Sequence, residues 1–599
     1  MQPDHRVRED TTLRLDGYVA LRSYAAIGDG RSVALVARDG SIDWYPVPRI
    51  DSPPVFARLL DAQHGGAVEL CPTDPFTVSR AYLPGTNILT STYTTSSGRV
   101  RITDSLNTGV GGRLPWGELA RRVEGLEGSV PMCWRVAPGD RFGSASPWIQ
   151  QTPFGPVIRV GEVTLGLRLI DAGDCVVADR DISGSFTARP GAAQLIAVLS
   201  SEGEPLPLPD PDDVNRGIDR TAEYWRTWTD ELDYTGPWAD AVFRSALTLR
   251  LLTHVDTGAI SAAATTSLPE SRSGNKNWDY RFAWIRDAAY TLHTLIRFGE
   301  SEEVHGAVSW LLRTISAQGP DPEVFTHLDG RRPSEERRVD ALGWCGIGPV
   351  VVGNDAAGQL QLGVFGDLFD MVALYVEGGN VLDVPTARVL AAIADHTCDV
   401  WRSRDAGIWE LPTERHYTSS KMGCGHALDC AVKLAEGGHI KGEDDRWRSE
   451  AQLIRRWVAE NCWSDEKQSY VWYPGTEKLD ASVILHAVGG FDRGPRMSAT
   501  IDAVRRELGA GDLLYRYSGA EKEEGTFVAC AFWAAAALAE VGRRDEAWEL
   551  MDRLVPLSND VGLFTEMIDA DDMSFLGNAP QALSHLALMT AALSIIGKY

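Results

Sequence analysis

The sequence predicts two domains, a large antiparallel β-sandwich followed by an all-α toroid of paired helices. The chain has 599 residues, more than a single hydrophobic core ordinarily serves. Short apolar runs separated by turn signals recur up to about residue 205, whereas helical periodicity dominates from Trp238 onward. A proline-rich segment lies between the two patterns. These three observations define the predicted fold class.

The first domain is predicted to span residues 1–205. Ser32–Val36 and Asn87–Tyr93 are typical of strands, because they are short and rich in β-branched or aromatic residues. Turn signals at 38–41 and 96–98 separate such runs. Many strands at this spacing indicate two packed antiparallel sheets.

Residues 206–237 are predicted to form a helical linker. The run Pro205–Pro211 has four prolines, which can neither continue a strand ladder nor occupy a helix interior. Helical patterning begins at Asp213. The linker therefore separates the sandwich from the toroid.

The second domain is predicted to span residues 238–599 and to contain about twelve amphipathic helices. Their longer connecting loops fall mostly on alternate connections, which is typical of a ring of inner and outer helices. Long loops that collect on one face mark the face where function concentrates. The helices are predicted at 238–254, 286–298, 301–316, 356–377, 384–402, 420–435, 446–461, 480–487, 498–508, 526–541, 544–554 and 580–597.

Composition excludes several classes of partner. The net charge is −25 and the pI is near 4.9, so the surface repels phosphate backbones and nucleic acid is excluded. No apolar stretch approaches the length of a membrane span, so no membrane partner is expected. A small neutral saccharide meets no electrostatic barrier. Nothing in the sequence decides whether the chain forms a homo-oligomer.

The start of the chain and its cysteines predict a cytoplasmic protein. Met1–Arg6 lacks the apolar region of a secretory signal. The nine cysteines are scattered without a Cys-x-x-Cys pair, which is typical of reduced thiols. Cys424 and Cys430 are six residues apart, a spacing that alone does not support a metal site. No nucleotide or metal motif is present, so neither a cofactor nor a metal is predicted.

The richest segment for binding chemistry is Asn277–Asp287. It carries four aromatic rings, two arginines and two aspartates just before a helical run. Tyr280 and Trp284 suit the apolar faces of a sugar ring, and the adjacent Arg286 and Asp287 suit neighbouring hydroxyls as donor and acceptor. The alternative is a half-buried helix start with an ion pair at its rim. The presence of aromatic rings together with an adjacent Arg–Asp pair at a loop-to-helix junction favours a sugar pocket.

Two loop glutamates are candidates for acid–base chemistry. Glu410 follows Trp409 and precedes Leu411, an apolar setting that raises a carboxyl pKa. Glu566 lies in the last long loop. A pair of carboxyl groups on one face suits glycoside hydrolysis, since one protonates the leaving oxygen and the other activates water. Glu410 alone would be better explained as an ordinary loop glutamate beside a packing tryptophan. Because glutamate is abundant, the pairing by itself is weak evidence.

Further polar residues have weaker signals. Arg516 is a candidate donor to sugar hydroxyls. The acidic run 521–524 that follows it is predicted to be a solvated loop with charge near a helix N-terminus. The isolated histidines His416, His426 and His585 are predicted to be structural rather than catalytic.

Ordered motifs along nearly the whole chain resemble the bacterial branch of glycoside hydrolase family 15. The resemblance implies a β-supersandwich followed by an (α/α)6 barrel, and removal of glucose from a non-reducing end with inversion. It rests on Ile27–Gly30, Arg38–Trp44, Asp51–Ala57, Asn277–Asp287, Gly407–Glu410, His416–Lys421, Glu524–Phe527 and Gly577–His585.

The resemblance also implies roles for the candidate residues. Glu410 would be the general acid and Glu566 the general base. Arg286 and Asp287, helped by Arg516, would bind the terminal glucose. Tyr280 and Trp284 would line that subsite, and Trp409 would lie beside the acid.

This chain departs from the family pattern just after Lys421. Gly425 stands where relatives commonly carry Trp, His426 follows it, and Cys430 stands where they carry Arg. The departures follow the acid in sequence, so Gly425 is expected to lie toward the leaving group and to affect the aglycone preference.

The sequence favours an inverting, exo-acting α-glucosidase that releases β-glucose from short α-linked gluco-oligosaccharides of the isomaltose or maltose type. The alternative within the same family is an α,α-trehalase. A disaccharide phosphorylase and a non-catalytic sugar-binding protein are less favoured, because two candidate carboxylates are retained.

Overall fold

The structure is a computed structural model that describes residues 14–109, 114–299, 302–333 and 335–598. In these ranges the chain forms a β domain, one connecting helix and a helical domain. None of the helices in the described ranges combines the length and apolar character that a membrane span requires. The predicted order of a sandwich followed by a helical domain is confirmed.

The β domain consists of two eight-stranded antiparallel sheets. The first sheet contains β1 (Ala25–Gly28), β2 (Val33–Val36), β3 (Ile42–Pro46), β4 (Pro54–Phe56), β5 (Gly66–Pro72), β10 (Val130–Pro138), β14 (Val176–Val177) and β15 (Ile182–Ala188). The second contains β6 (Phe76–Tyr82), β7 (Leu89–Thr95), β8 (Gly98–Leu106), β9 (Gly117–Gly128), β11 (Trp148–Thr152), β12 (Gly155–Val160), β13 (Val163–Ile170) and β16 (Ala193–Glu202). The strand orders are β1-β2-β3-β5-β10-β15-β14, with β4 on β3, and β11-β12-β13-β16-β9-β8-β7-β6.

A buried ion pair links the two sheets. Arg121 on β9 donates to Asp104 on β8 at 2.7 Å, and its second nitrogen donates to the carbonyl of Val68 on β5 at 3.2 Å. Apolar side chains such as Trp44 and Ile102 fill the surrounding core and are fully buried. A buried arginine is tolerated here because its hydrogen bonds are satisfied on both sheets.

Helix α1 (Pro211–Asp230) connects the domains. Asp210 caps it by accepting a hydrogen bond from the Asp212 amide, and Pro211 occupies the first turn, where its missing N–H has no cost. Helix α1 packs on the second sheet through β9 and β13. The domain limits predicted at 205 and 237 fall in the segments before and after α1 and remain predictions.

Twelve helices in the described ranges form a closed double ring. The inner ring runs through α3, α5, α7, α9, α11 and α13, and α13 returns to contact α3. The outer helices α2, α4, α6, α8, α10 and α12 alternate with them along the chain. Their bounds are α2 (Ala239–Leu252), α3 (Ile285–Arg297), α4 (Glu302–Gln318), α5 (Val364–Glu377), α6 (Val384–Val400), α7 (Thr418–Glu436), α8 (Asp444–Asn461), α9 (Leu485–Val488), α10 (Pro495–Glu507), α11 (Val528–Glu540), α12 (Arg544–Leu554) and α13 (Ala582–Ile596).

Each predicted helix corresponds to one of these twelve, with one notable shift. The helix predicted at 356–377 is a short 3₁₀ turn, Asp355–Gly358, followed by extended chain and then α5. Leu360 and Leu362 hydrogen-bond to the loop before α7, through the Ala406 amide and the Asp405 carboxylate. These tertiary hydrogen bonds replace the helical ones that the local sequence predicts.

The connections before the inner helices are long and gather at one end of the ring, which we call the loop end. In the described residues, four short strand pairs and one three-stranded sheet stiffen them. These strands are β17 (Ala283–Trp284), β18 (Phe325–Thr326), β19 (Arg337–Arg338), β20 (Val351–Val352), β21 (Trp463–Ser464), β22 (Ser469–Tyr470), β23 (Gly509–Ala510), β24 (Leu513–Leu514), β25 (Thr526–Phe527), β26 (Met567–Ile568) and β27 (Phe575–Leu576). The opposite end, where the inner helices terminate in short turns, we call the base.

The β domain packs against the loop end. The Trp44 indole donates to the carbonyl of Ala264 at 2.9 Å, and Arg281 donates to the carbonyl of Ser52 at 2.8 Å. Both contacts hold the segment between α2 and α3. The sandwich therefore positions a loop that contributes to the site described next.

Candidate active site

A pocket at the loop end brings together all eight residues that the sequence singled out. They come from the start of α3 and from the loops before α7, α11 and α13. The pocket is lined by Ala262, Tyr280, Trp284, Arg286, Asp287, Ile408, Trp409, Glu410, Arg516, Phe527, Glu566, Gln581 and Leu583.

The segment Asn277–Asp287 serves two surfaces. Arg281 forms a buried ion pair with Asp279 at 2.7 Å and faces the β domain. Arg286 and Asp287, in the first turn of α3, face the pocket instead. The Arg286 Nε donates to Asp287 Oδ1 at 2.7 Å and its Nη1 donates to the carbonyl of Ile408 at 2.9 Å. The second arginine–aspartate pair is therefore held rigidly at the pocket wall.

Glu410 is held by an unusual turn and by an indole. Its φ of +58° lies in the left-handed region, which costs about 1–3 kcal/mol for a residue other than glycine and is commonest at functional sites. The Trp284 Nε1 donates to Glu410 Oε1 at 2.7 Å, and the Trp284 ring stacks on Phe325. Burial raises the pKa of Glu410, opposed by the positive charge of Arg286 and the Trp284 hydrogen bond. A raised pKa favours a protonated carboxyl that can donate a proton.

Glu566 is one of the most buried carboxyl groups in the pocket. Its backbone lies beside β26, and its Oε2 accepts from the Asn578 amide at 3.0 Å. Gly577 has a φ of +71°, and a Cβ there would lie 2.6 Å from Glu566 Oε2, so only glycine fits. Glu566 Oε1 is buried and accepts no hydrogen bond from any described residue. That oxygen is free to accept a proton from a bound molecule.

Glu270 is a site residue that the sequence analysis missed. It is fully buried, and its Oε1 accepts a 3.4 Å hydrogen bond from the Tyr280 hydroxyl. Burial, followed by the negative charge of Glu270, raises the pKa of Glu566 well above the ordinary value. Glu270 lies in the long loop after α2, without a recognisable local motif. Only its position in the folded chain reveals its role.

Arg516 and the acidic run after it differ from expectation. Arg516 Nη2 donates to Glu270 Oε2 at 2.8 Å, and its Nε donates to Glu524 Oε1 at 2.5 Å. Glu524 is buried and also pairs with Lys276. The prediction that the whole run is a solvated loop is therefore wrong for Glu524, because two cations compensate its buried charge. Arg516 still lines the pocket, and it also orients Glu270.

Aromatic rings form the remaining wall. The Trp409 indole donates to Asp480 Oδ1 at 2.8 Å, and its ring meets Phe527 edge-on at 5.6 Å. Burial raises the pKa of Asp480 to about 6, opposed by the Trp409 hydrogen bond. Burial, followed by the charges of Glu270, Glu566 and Glu410, raises the pKa of the Tyr280 hydroxyl well above its ordinary value. The pocket thus combines rings for apolar faces with carboxyl groups for hydroxyls.

The departures after Lys421 lie away from this pocket. A Cβ on Gly425 would lie 3.0 Å from Phe491 and 3.2 Å from Ile454, on the side of α7 that packs against its neighbours. The expectation that Gly425 lies toward the leaving group is therefore wrong. The expectation was drawn from the closeness of Gly425 to Glu410 in the sequence. In the folded helix α7, however, position 425 faces Phe491 and Ile454 rather than the pocket. His426 and Cys430 lie at the base.

The family of the chain follows from comparison with known proteins. Residues 236–557, more than half of the chain, match the family described as glycosyl hydrolases family 15. Residues 16–164 match the family described as trehalase-like, N-terminal. The chain belongs to glycosyl hydrolase family 15. It is a glycoside hydrolase, and it acts on a saccharide.

Several relatives align with the chain over nearly its whole length. A trehalase of Mycolicibacterium smegmatis is 32% identical, over 98% of this chain and 92% of that protein. A trehalase of Thermoplasma volcanium is 28% identical, over 98% of this chain and 95% of that protein. A bacterial glucoamylase solved with acarbose superimposes with a TM-score of 0.69 at 13% identity, covering 97% of this chain and 95% of that one. The last similarity concerns the fold alone.

Proposed function

We propose that this enzyme is an α,α-trehalase that hydrolyses its substrate with inversion. The observation that carries the proposal is the presence of two carboxyl groups, the half-buried Glu410 and the buried Glu566, in one pocket with the Arg286–Asp287 pair. The relatives named above favour trehalose over the isomaltose or maltose type of substrate. The α,α-trehalase, which was the alternative on sequence grounds, thus becomes the leading hypothesis.

One glucose of the substrate binds between Arg286, Asp287 and the rings of Tyr280 and Trp284. Asp287 accepts hydrogen bonds from hydroxyls and Arg286 donates them, while the rings cover the apolar face. The Arg286–Asp287 ion pair fixes both groups before substrate arrives, which reduces the entropy lost on binding.

Glu410 acts as the general acid. Its raised pKa favours the protonated form of the carboxyl, and the Trp284 indole fixes its orientation. In the reaction the proton passes to the glycosidic oxygen as the bond from this oxygen to the anomeric carbon breaks. The second glucose leaves with its own anomeric configuration unchanged.

Glu566 acts as the general base. In its ionised form, Oε1 accepts a proton from water while the water oxygen bonds to the anomeric carbon on the face opposite the leaving group. Because burial and Glu270 raise its pKa, Glu566 is a stronger base than an ordinary carboxylate once it is ionised. The products are one β-glucose and one α-glucose.

The proposal is tested with a panel of trehalose, isomaltose, maltose, kojibiose, nigerose and dextrin. We expect the highest kcat/KM on trehalose, measured as glucose release. The Glu566→Gln enzyme, purified in parallel, controls for contaminating glycosidases. A higher kcat/KM on isomaltose or maltose would replace the trehalase proposal with the α-glucosidase hypothesis.

A further inference from the structure

The base of the helical ring holds a second cluster of chemically active side chains. It consists of Asp370 on α5 together with His426 and Cys430 on α7. One potential ligand atom from each lies within 4.8 Å of the other two. No other group of three histidine, cysteine or acidic side chains meets this distance criterion in the described part of the chain.

The geometry of the cluster is set by helix spacing. His426 and Cys430 are four residues apart, so both project from the same face of α7. Cys430 Sγ lies 3.7 Å from His426 Nε2, and Asp370 Oδ1 lies 2.9 Å from the same nitrogen. On the far side of Asp370, His293 Nε2 of α3 lies 3.2 Å from Oδ2. Three neighbouring inner helices therefore converge at this point.

This donor set is typical of a zinc-class ion. Thiolate, imidazole and carboxylate bind Zn²⁺ at roughly 2.0–2.3 Å, which places tetrahedral ligand atoms about 3.3–3.6 Å apart. The observed sulfur–nitrogen separation fits this spacing. The nitrogen–oxygen separation has the length of a hydrogen bond and must open by a few tenths of an ångström. Asp370 has room to do so, because its side chain is 29% exposed.

An ion can reach the cluster from solvent. Asp370, His426 and Cys430 line a cavity of about 620 Å³ at the base, together with Arg297, Lys433 and Arg455. His293 is suited to hold the second oxygen of Asp370, as partners of metal-bound carboxylates commonly do. The cavity side supplies space for water as a fourth ligand.

We infer that Asp370, His426 and Cys430 bind one zinc-class divalent ion, with His293 orienting Asp370 and water completing a tetrahedral site. Such an ion fastens α5 to α7 at the end of the ring opposite the active site. No metal was predicted from the sequence, because neither the cysteine spacing nor a known metal motif indicated one. The His426-x₃-Cys430 spacing on one helix face was the available signal.

Titration with Co²⁺ tests the inference spectroscopically. The full-length enzyme is stripped with a chelator and titrated with Co²⁺. We expect one equivalent to produce tetrahedral cobalt absorption together with a sulfur-to-cobalt charge-transfer band. Cys430→Ser should lose the charge-transfer band and weaken binding by at least about tenfold, since replacing even an outer-shell partner of a metal commonly weakens binding 10–100-fold. Cys424→Ala, a buried cysteine on the same helix outside the cluster, is the matched control and should retain the band.

A stability measurement covers the case in which Cys430→Ser folds poorly. Zn²⁺ should raise the melting temperature of the stripped wild type and of Cys424→Ala, because an ion that binds only the folded chain stabilises it. Asp370→Asn should show a markedly smaller rise. The inference is overturned if the wild type binds no Co²⁺, if its bound cobalt shows no charge-transfer band, or if the band persists in Cys430→Ser.

Discussion

The two ends of the helical ring are built from the same inner helices but present different chemistry. At the loop end, Glu410 and Glu566 lie in long segments whose turns and short strands hold them in specific conformations. At the base, His426 and Cys430 are placed only by the regular spacing of α7. Long loops can bring residues from distant parts of the chain into one pocket. On neighbouring inner helices, a cluster forms only from residues that share a helix face, such as His426 and Cys430 on α7.

The comparison predicts that the two ends are separable. A change in the loop-end carboxyl groups should abolish turnover and leave cobalt binding intact. A change at the base should alter metal binding or stability and leave the substrate preference unchanged. The following variants test this separation, in order of decreasing effect.

The largest effect is expected for Glu566→Gln. Removing the general base should lower kcat on trehalose by about 10²–10⁴-fold, since no group remains to take the proton from water. Steady-state glucose release measures the loss, and cobalt titration should be unchanged. Glu549→Gln, an exposed glutamate on α12, is the control. Activity within tenfold of wild type would show that Glu566 is not the base.

Glu410→Ala should lose activity selectively. On trehalose the loss should reach about 10²-fold or more, because the leaving sugar requires protonation. On α-glucosyl fluoride, whose leaving group needs little protonation, the loss should be much smaller. The ratio of the two losses is the measurement. Equal losses on both substrates are incompatible with Glu410 as the acid.

Asp287→Asn should weaken substrate binding in the transition state. The variant keeps the shape of the side chain but loses a charged acceptor. We therefore expect kcat/KM to fall roughly 10–100-fold, which corresponds to a loss of about 1.5–3 kcal/mol of transition-state stabilisation. Glu549→Gln again serves as the control. If kcat/KM is unchanged, Asp287 serves only to hold Arg286.

Glu270→Gln should shift the pH dependence of kcat/KM. Glu566 must be ionised, so activity falls as the pH drops through its raised pKa. Burial raises that pKa first and the charge of Glu270 second. Removing this charge lowers the pKa of Glu566, so the acid limb should move to lower pH. Glu523→Gln, an exposed neighbour of Lys276, should not move it. An unchanged or upward-shifted limb would contradict the coupling.

Gly425→Trp should affect stability alone. The new ring would meet Phe491 and Ile454, which should cost about 1–3 kcal/mol of the free energy of unfolding. Urea denaturation measures this cost, while the order of kcat/KM across the substrate panel should stay the same. A changed order would restore the expectation drawn from the sequence.

The sequence predicted much of the loop end because its signals are local. The aromatic and charged residues of Asn277–Asp287 and the setting of Glu410 are visible in short segments, and helical periodicity gives the twelve helices. The burial of Glu270 and Glu524 could not be recognised, since both pair with Arg516 only when the loop after α2 meets the loop before α11. Gly425 was misplaced because nearness in sequence does not determine the direction a helix residue faces. The cluster at the base could likewise not be recognised from the sequence, because Asp370 meets His426 and Cys430 only when α5 packs against α7.

The most direct test of the central claim is anomer-resolved NMR of the products of trehalose hydrolysis, recorded before mutarotation. Inversion by the Glu410–Glu566 pair predicts equal initial amounts of β-glucose, from the cleaved anomeric carbon, and α-glucose, from the leaving sugar. Initial formation of α-glucose alone would show retention and would contradict this account.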